Sequence, residues 1–343
     1  MIKRYLLPQD KEVSREVFVL ALPVIFSNLS RVFMSVVDVA MVGHLGPAAL
    51  AATGMGAMLF WGALSFMLGI RTAVQTISAR RLGQGLFNDC GNAFRNGVVL
   101  AFVFAVPLSI VGWGFAGKFV PFFLVDHIAT DLAIDYVSVI FLGLLFSSIS
   151  FVFQGFYTGI EKTRLHMNVT IFSNGLNVYL NAGFIYGSAG IKEFFSDRFP
   201  AIEWLHFFWA WTDFPALGVL GAAIATLIAS TWMAVHYAFY LFTPAIRNKF
   251  KTTRFSLDMV MMKKQINLAW PQGLQEVVIA IGWSFFYKIM GIIGLIELAA
   301  TELVFTIMHA SFMPAIGVGQ ACATLVSKYM GEKKIDYASN SII

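Results

Sequence analysis

The chain has 343 residues, of which 58% are hydrophobic and 13% charged, and its mean hydropathy is +0.74. A soluble domain carries roughly 25% charged residues, so this composition has too little polar surface to cover a globule in water. The net charge of +5 would suit a nucleic-acid partner, but the basic residues are distributed by topology, as set out below, and none is expected.

Segments of about 20 mostly apolar residues cross a bilayer as helices. Eight are predicted, at 17–42, 48–78, 93–116, 130–153, 166–187, 216–243, 267–292 and 298–327. The fold class is therefore all-α, a polytopic helical membrane protein. A membrane β-barrel would alternate apolar and polar residues with a period of two, which these runs do not. Pro23, Pro107, Pro271 and Pro314 lie within or at the ends of spans and predict kinks.

The first span carries Ser27, Arg31, Ser35 and Asp38, spaced 4, 4 and 3, which places them on one helix face. A carboxylate inside a span marks an ion path or proton relay by default. The alternative is a side chain that reaches the headgroups, since Asp38 lies close to the break at Gly43. That break, Gly43 to Pro47, predicts a tight external turn. Cys90 is placed in a basic loop and Cys322 in a span, so both are expected to be unpaired thiols, with no metal framework.

The fifth span carries a second stripe, Thr170, Asn174, Asn177 and Asn181, spaced 4, 3 and 4. Its amides suit either cation coordination or hydrogen bonding between helices. A shared cavity would explain both stripes together. The following external segment, 188–215, is rich in Trp and Phe and holds Glu193, Asp197, Glu203 and Asp213. It is expected to lie at the interface, with a gating lid as the alternative. Further intramembrane charges are Arg71, Glu276 (near Gln272 and Gln275), Lys288, Glu297 and Glu302, and His309 sits mid-span.

Lys and Arg fix the orientation. One set of loops holds about 18 of them, including Lys3, Arg4, Lys162, Lys251 and Lys334, and the opposite set holds only Lys118, Lys192 and Arg198. Both termini are predicted to be cytoplasmic, in a multi-pass protein of the bacterial inner (plasma) membrane. The long first run lacks a small-residue cleavage site, so it is expected to serve as its own insertion signal.

A shift of 248 residues overlays the first two spans on the last two without a gap. Pro23 meets Pro271, Gly43 meets Gly291, Gly46 meets Gly294, Gly69 meets Gly317 and Gly83 meets Gly331, while Leu50 to Thr53 meet Leu298 to Thr301. Six spans separate the copies, so both enter from the same side. The repeats are parallel, related by an axis along the membrane normal, as in two-lobed transporters. The predicted division is an N-lobe at 1–243, a cytoplasmic linker at 244–264 and the start of a C-lobe at 265–343. Ile343 falls opposite Arg95, so the chain is expected to stop about four spans short of a twelve-span protein.

No phosphate-binding loop, nucleophile elbow or metal-ligating His pair is present in the sequence. No enzymatic activity and no cofactor are expected, and any pumping would be driven by an ion gradient.

Four segments, "VDVAMVGHLGPAALAATG" at 37–54, "GFYTGIEKTRLHMNVTIFSNGLNVYLN" at 155–181, "ALGVLGAAIATLIA" at 216–229 and "GIIGLIELAAT" at 291–301, resemble the multidrug and toxic compound extrusion (MATE) family, most closely its DNA-damage-inducible protein F branch. The resemblance implies two six-helix lobes around a V-shaped cleft and efflux of amphipathic organic cations coupled to H⁺ or Na⁺. It implies a monomer whose partners are small amphipathic molecules and the lipid bilayer. It also assigns Asp38 to the family's span-one coupling acid and Asn177 to a span-five asparagine beside it. Asn181 stands where some members have a second aspartate, which tells against a multi-carboxylate Na⁺ site. The expected coupling set is Asp38, Asn174, Asn177 and Asn181. Ser27, Arg31, Ser35, Glu276 and Lys288 are the cavity candidates. The rival readings are a lipid-linked oligosaccharide flippase with a cationic cavity and a non-transporting membrane scaffold or receptor.

Overall fold

The protein is described by a computed structural model that covers residues 11–198, 204, 206–254 and 256–342. Lys3, Arg4 and Glu203 of the sequence reading lie outside the described residues, as do the side chains of Asp197, Arg198, Glu302 and His309. Among the described residues the chain is helical, with no strand.

The helices are α1 (Lys11–Gly43), α2 (Pro47–Gly83), α3 (Phe87–Phe119), α4 (His127–Ile140), α5 (Leu144–Gly159), α6 (Thr163–Arg198), α7 (Phe207–Ala210), α8 (Gly218–Leu241), α9 (Pro244–Phe250), α10 (Met259–Ile293), α11 (Leu295–Gly331) and α12 (Ile335–Asn340). A 3-10 turn at Phe141–Gly143 joins α4 and α5 into one rod. Each of the eight predicted spans thus falls on a long rod. Even α8, with 24 residues, exceeds the ~30 Å of bilayer hydrocarbon at about 1.5 Å per residue. Among the described residues, six rods are long and apolar enough to cross a membrane by length and composition.

The fifth span breaks at residue 187, its predicted end: Gly187 takes φ 71° and ψ 164°, and a further helical stretch follows to Arg198, so part of the predicted external loop is helical. One local expectation is revised. Cys90 is not in a loop but in the first turn of α3, buried, where its thiol donates to the Ser78 carbonyl at 3.3 Å.

The break after α1 is the tight turn expected. Leu45 N–H donates to the Val42 carbonyl at 2.9 Å, Gly46 takes φ 108°, which glycine tolerates without a Cβ clash, and Pro47 opens α2 with a φ already suited to a helix start.

Helix α2 lies at the centre, against α3, α4, α5, α10 and α11, while α1 is held between α6 and α11 and α6 packs on α8. The repeat is visible as mirrored contacts. A Cβ on Gly83 would run into the Lys328 carbonyl, and one on Gly331 would run into the Arg80 carbonyl. The same holds one level deeper: Gly69 sits against Ala269 and Gly273, and Gly317 sits against Ile25. The Gly83–Lys328 contact maps onto Gly331–Arg80, and Gly69–Gly273 onto Gly317–Ile25, by the same 248-residue shift. Two helix pairs exchanging equivalent contacts is the signature of a pseudo-two-fold axis between them. Gln75 adds an unmirrored link, donating to the Gln320 carbonyl and to Thr324 Oγ1, both at 2.8 Å.

The segment between α8 and α10 is gripped by α3. The Arg95 guanidinium donates to the Lys251 carbonyl at 2.6 Å, the Ser256 carbonyl at 3.3 Å and Ser256 Oγ at 3.0 Å, and also to Asn92 Oδ1. Asn96 exchanges two hydrogen bonds with the backbone of Asp258, and Asp258 in turn caps α10 through the Met261 N–H.

Candidate ion-coupling site

Packing of α1 on α6 brings the two polar stripes together. Asn181 Nδ2 donates to Asp38 Oδ1 at 2.5 Å and to Asn177 Oδ1 at 3.0 Å. Asn177 Nδ2 reaches Thr226 Oγ1 of α8 at 3.4 Å, and Asn174 Nδ2 donates to Ser30 Oγ of α1 at 3.0 Å. Asn177 and Asn181 are 2% and 1% exposed, so these amides have no water to fall back on. One buried acceptor, Asn181 Oδ1, is left without a partner. Asp38 is partly buried and opens onto a cavity of about 90 Å³ lined by Ser35, Thr53, Tyr136, Asn181 and Thr226 among others.

The chemistry of this cavity follows from its inventory. It holds one carboxylate, an unpartnered amide oxygen and several hydroxyls, with no group of three His, Cys, Asp or Glu able to hold a metal among the described residues. An ionised carboxylate only accepts hydrogen bonds, whereas a protonated one also donates. Asp38 Oδ1 therefore accepts from Asn181 both when the carboxyl is ionised and when its other oxygen carries a proton.

The other candidates are placed elsewhere. Ser27 is fully buried and donates to the Pro23 carbonyl at 2.9 Å, a bond within α1 rather than into the cavity. Thr170 lies toward the other end of α6, where it shares hydrogen bonds with His166 and Tyr237. Arg31 and Arg71 are partly buried and lie within electrostatic reach of each other and of Tyr237. Glu276 on α10 is partly buried within reach of Arg71. Lys288 is not brought to Asp38: its Nζ stands 3.2 Å from the centroid of the Phe122 ring, near the α10–α11 junction. A wider cavity of about 560 Å³ lies at that end, between residues 124–128 and Gly291 and Leu298. In the aromatic segment, Trp209 Nε1 donates to the Tyr179 carbonyl at 2.9 Å, while Trp204, Phe207 and Trp211 are exposed.

Sequence reasoning missed Thr53, Tyr136 and Thr226. Thr53 and Tyr136 have no polar partner at helical spacing to mark a face, and Thr226 has only Ser230 one turn on. Their convergence depends on how α2, α4 and α8 cross α1.

Residues 23–182 match the family model described as MatE. The "Multidrug resistance protein NorM" of Burkholderia vietnamiensis is 26% identical over 91% of this chain and 62% of its own length. The "Probable multidrug resistance protein NorM" of Thermotoga maritima is 26% identical over 96% of this chain and 66% of its own length. The chain thus spans somewhat less than two thirds of these relatives. A solved structure described as the outward-facing conformation of a multidrug resistance MATE family transporter of the MOP superfamily superposes with a TM-score of 0.78. It is 20% identical, and the match covers 96% of this chain and 67% of that one. The resemblance to the multidrug and toxic compound extrusion family is thereby borne out: residues 23–182 carry the MatE signature, and the chain has the fold of a MATE family transporter.

Proposed function

We propose that the chain acts in multidrug efflux as a secondary transporter, not an enzyme, exporting amphipathic organic cations in antiport with H⁺. The observation that carries this reading is the Asp38–Asn181–Asn177 chain of hydrogen bonds facing a small cavity. The names and fold of the relatives support the activity class. A single carboxylate favours a proton over Na⁺, which would gain from further negative ligands. Asp38 takes up the proton from the side on which its cavity opens and releases it on the other. Asn181, held by Asn177, positions it, and Arg31, Ser35, Glu276 and Lys288 are assigned to the substrate path. In this reading residues 1–243 form the N-lobe, 244–264 the linker and 265–343 the start of the C-lobe. The protein is a monomer in the inner membrane with cytoplasmic termini, and it uses no cofactor beyond the coupling ion.

The test is dye efflux from proteoliposomes holding the full chain, with an imposed pH gradient compared with a Na⁺ gradient. The pH gradient is expected to drive efflux and Asp38→Asn to abolish it, with the variant still folded. Normal gradient-driven efflux by Asp38→Asn would sink the proposal, and efflux driven by Na⁺ alone would reassign the ion.

A further inference from the structure

The two ends of the bundle hold the second hairpin, α10 and α11, differently. At the end carrying Lys11, polar side chains tie it to the first helices. Lys328 Nζ of α11 lies 2.7 Å from Glu161 Oε1, in the turn between α5 and α6. The next residue, Tyr329, donates from its hydroxyl to Glu16 Oε2 of α1 at 2.6 Å. Deeper in the same interface are the Gln75 bonds to Gln320 and Thr324, and Gln265 Nε2 of α10 donates to the Ala93 carbonyl at 2.7 Å. At the opposite end the hairpin stands off the bundle across the cavity of about 560 Å³, with the Lys288–Phe122 contact near it.

Glu161 is an unusual residue for its place. It follows the C-cap of α5 with φ 61°, the left-handed position that glycine favours. The matching turn after α2 has Gly85 there, with φ 73°. The Lys162 N–H closes the turn on the Tyr157 carbonyl at 2.8 Å, as the Leu86 N–H does on the Arg81 carbonyl at 2.9 Å. A carboxylate at a helix C-terminus also opposes the helix dipole. Both local penalties fall on one residue, and its side chain is the one that meets Lys328.

The pair can part at low cost. Its side chains are 20% and 28% exposed, so each charge can be rehydrated on opening. A fully buried pair would leave an unpaired charge in the interior. Beside it, Gly83 faces the Lys328 carbonyl and Gly331 faces the Arg80 carbonyl. Glycine faces have no side chains to interlock, so they can separate without repacking.

We propose that Glu161–Lys328 and Glu16–Tyr329 form a clasp at the Lys11 end, which closes one mouth of the transport path and opens in each transport cycle. The clasp rests on the transport reading, but not on Asp38 or on which ion drives efflux.

In the full chain, Cys90→Ser and Cys322→Ser leave Ala321→Cys as a reporter, buried between α1 and α11 beside Leu20 and Ala21. Its labelling by a maleimide follows the population in which that end is open. Glu161→Cys with Lys328→Cys is bridged by a short bis-methanethiosulfonate and compared with the same protein capped by a monofunctional one. Bridging is expected to abolish both reporter labelling and dye efflux from proteoliposomes, and reduction to restore efflux. In the reporter chain, Glu161→Gln is expected to speed labelling about two- to fivefold. Labelling unchanged by bridging overturns the clasp, and so does full efflux from the bridged protein. Labelling lost on bridging, with no efflux even from the capped protein, upholds the opening clasp and removes the transport reading instead. Should the double-cysteine variant fail to fold, Glu161→Gln decides, and labelling no faster than wild type refutes the proposal.

Discussion

Helices α1–α2 and α10–α11 are two copies of one hairpin, and they differ in what surrounds them and in what they carry. The first is more embedded: 28% of the most apolar window of α1 is buried, against 6% for its counterpart α10. The glycine contacts at Gly83 and Gly331, and at Gly69 and Gly317, are nevertheless the same in both copies. The carboxylate is not shared, because Phe286 stands where the shift would place Asp38. Even the turn differs in demand. Gly46 takes φ 108°, which requires glycine, whereas its counterpart Gly294 has an extended φ of 172°. Shared residues thus mark what the helix exchange needs, and unshared ones mark what only the first copy does.

The comparison can be broken in three ways, from the largest effect down. Moving the carboxylate by Asp38→Phe with Phe286→Asp is expected to leave no gradient-driven efflux, because the Asn181 amide is placed against position 38. Dye efflux restored to wild-type level would show that the two positions are interchangeable. Next, Gly83→Ala and Gly331→Ala should each destabilise by about 1–3 kcal/mol through overpacking against backbone, and by similar amounts. Thermal unfolding of the two variants in detergent checks this, and a large cost at one site with none at the other would refute the mirrored contact. Last, Gly43→Ala and Gly291→Ala should each stay within about 0.5 kcal/mol of wild type in the same measurement. A Cβ at Gly43 meets nothing within 4 Å, and one at Gly291 meets only ordinary contacts at 3.6 and 3.8 Å.

Much of this was legible in the sequence because it is periodic. Apolar runs located the spans, a fixed offset revealed the hairpin copies, and 3–4 spacing put Asp38 and Asn181 on facing stripes that the structure joins by a hydrogen bond. Periodicity describes one helix at a time. It could not show that Tyr136 and Thr226 close the cavity, that Asn174 turns to Ser30, or that Thr170 leaves the amides for His166 and Tyr237. Those partners depend on crossing angles between helices, which ridge-and-groove packing sets. The helical stretch beyond the Gly187 break, up to Arg198, was hidden for a different reason: its aromatic and acidic residues look like a loop by composition.

The grip of Arg95 on the segment between α8 and α10 has a consequence for assembly. Bound at Lys251 and Ser256, with Asp258 fixed by Asn96, that segment is a short strap rather than a free coil. A second hairpin delivered on such a strap meets the first at high effective concentration and with its starting direction already set. Few orientations need be searched before the glycine faces engage, so the docking of α10 and α11 becomes an intramolecular event with most of its entropy cost already met by α3.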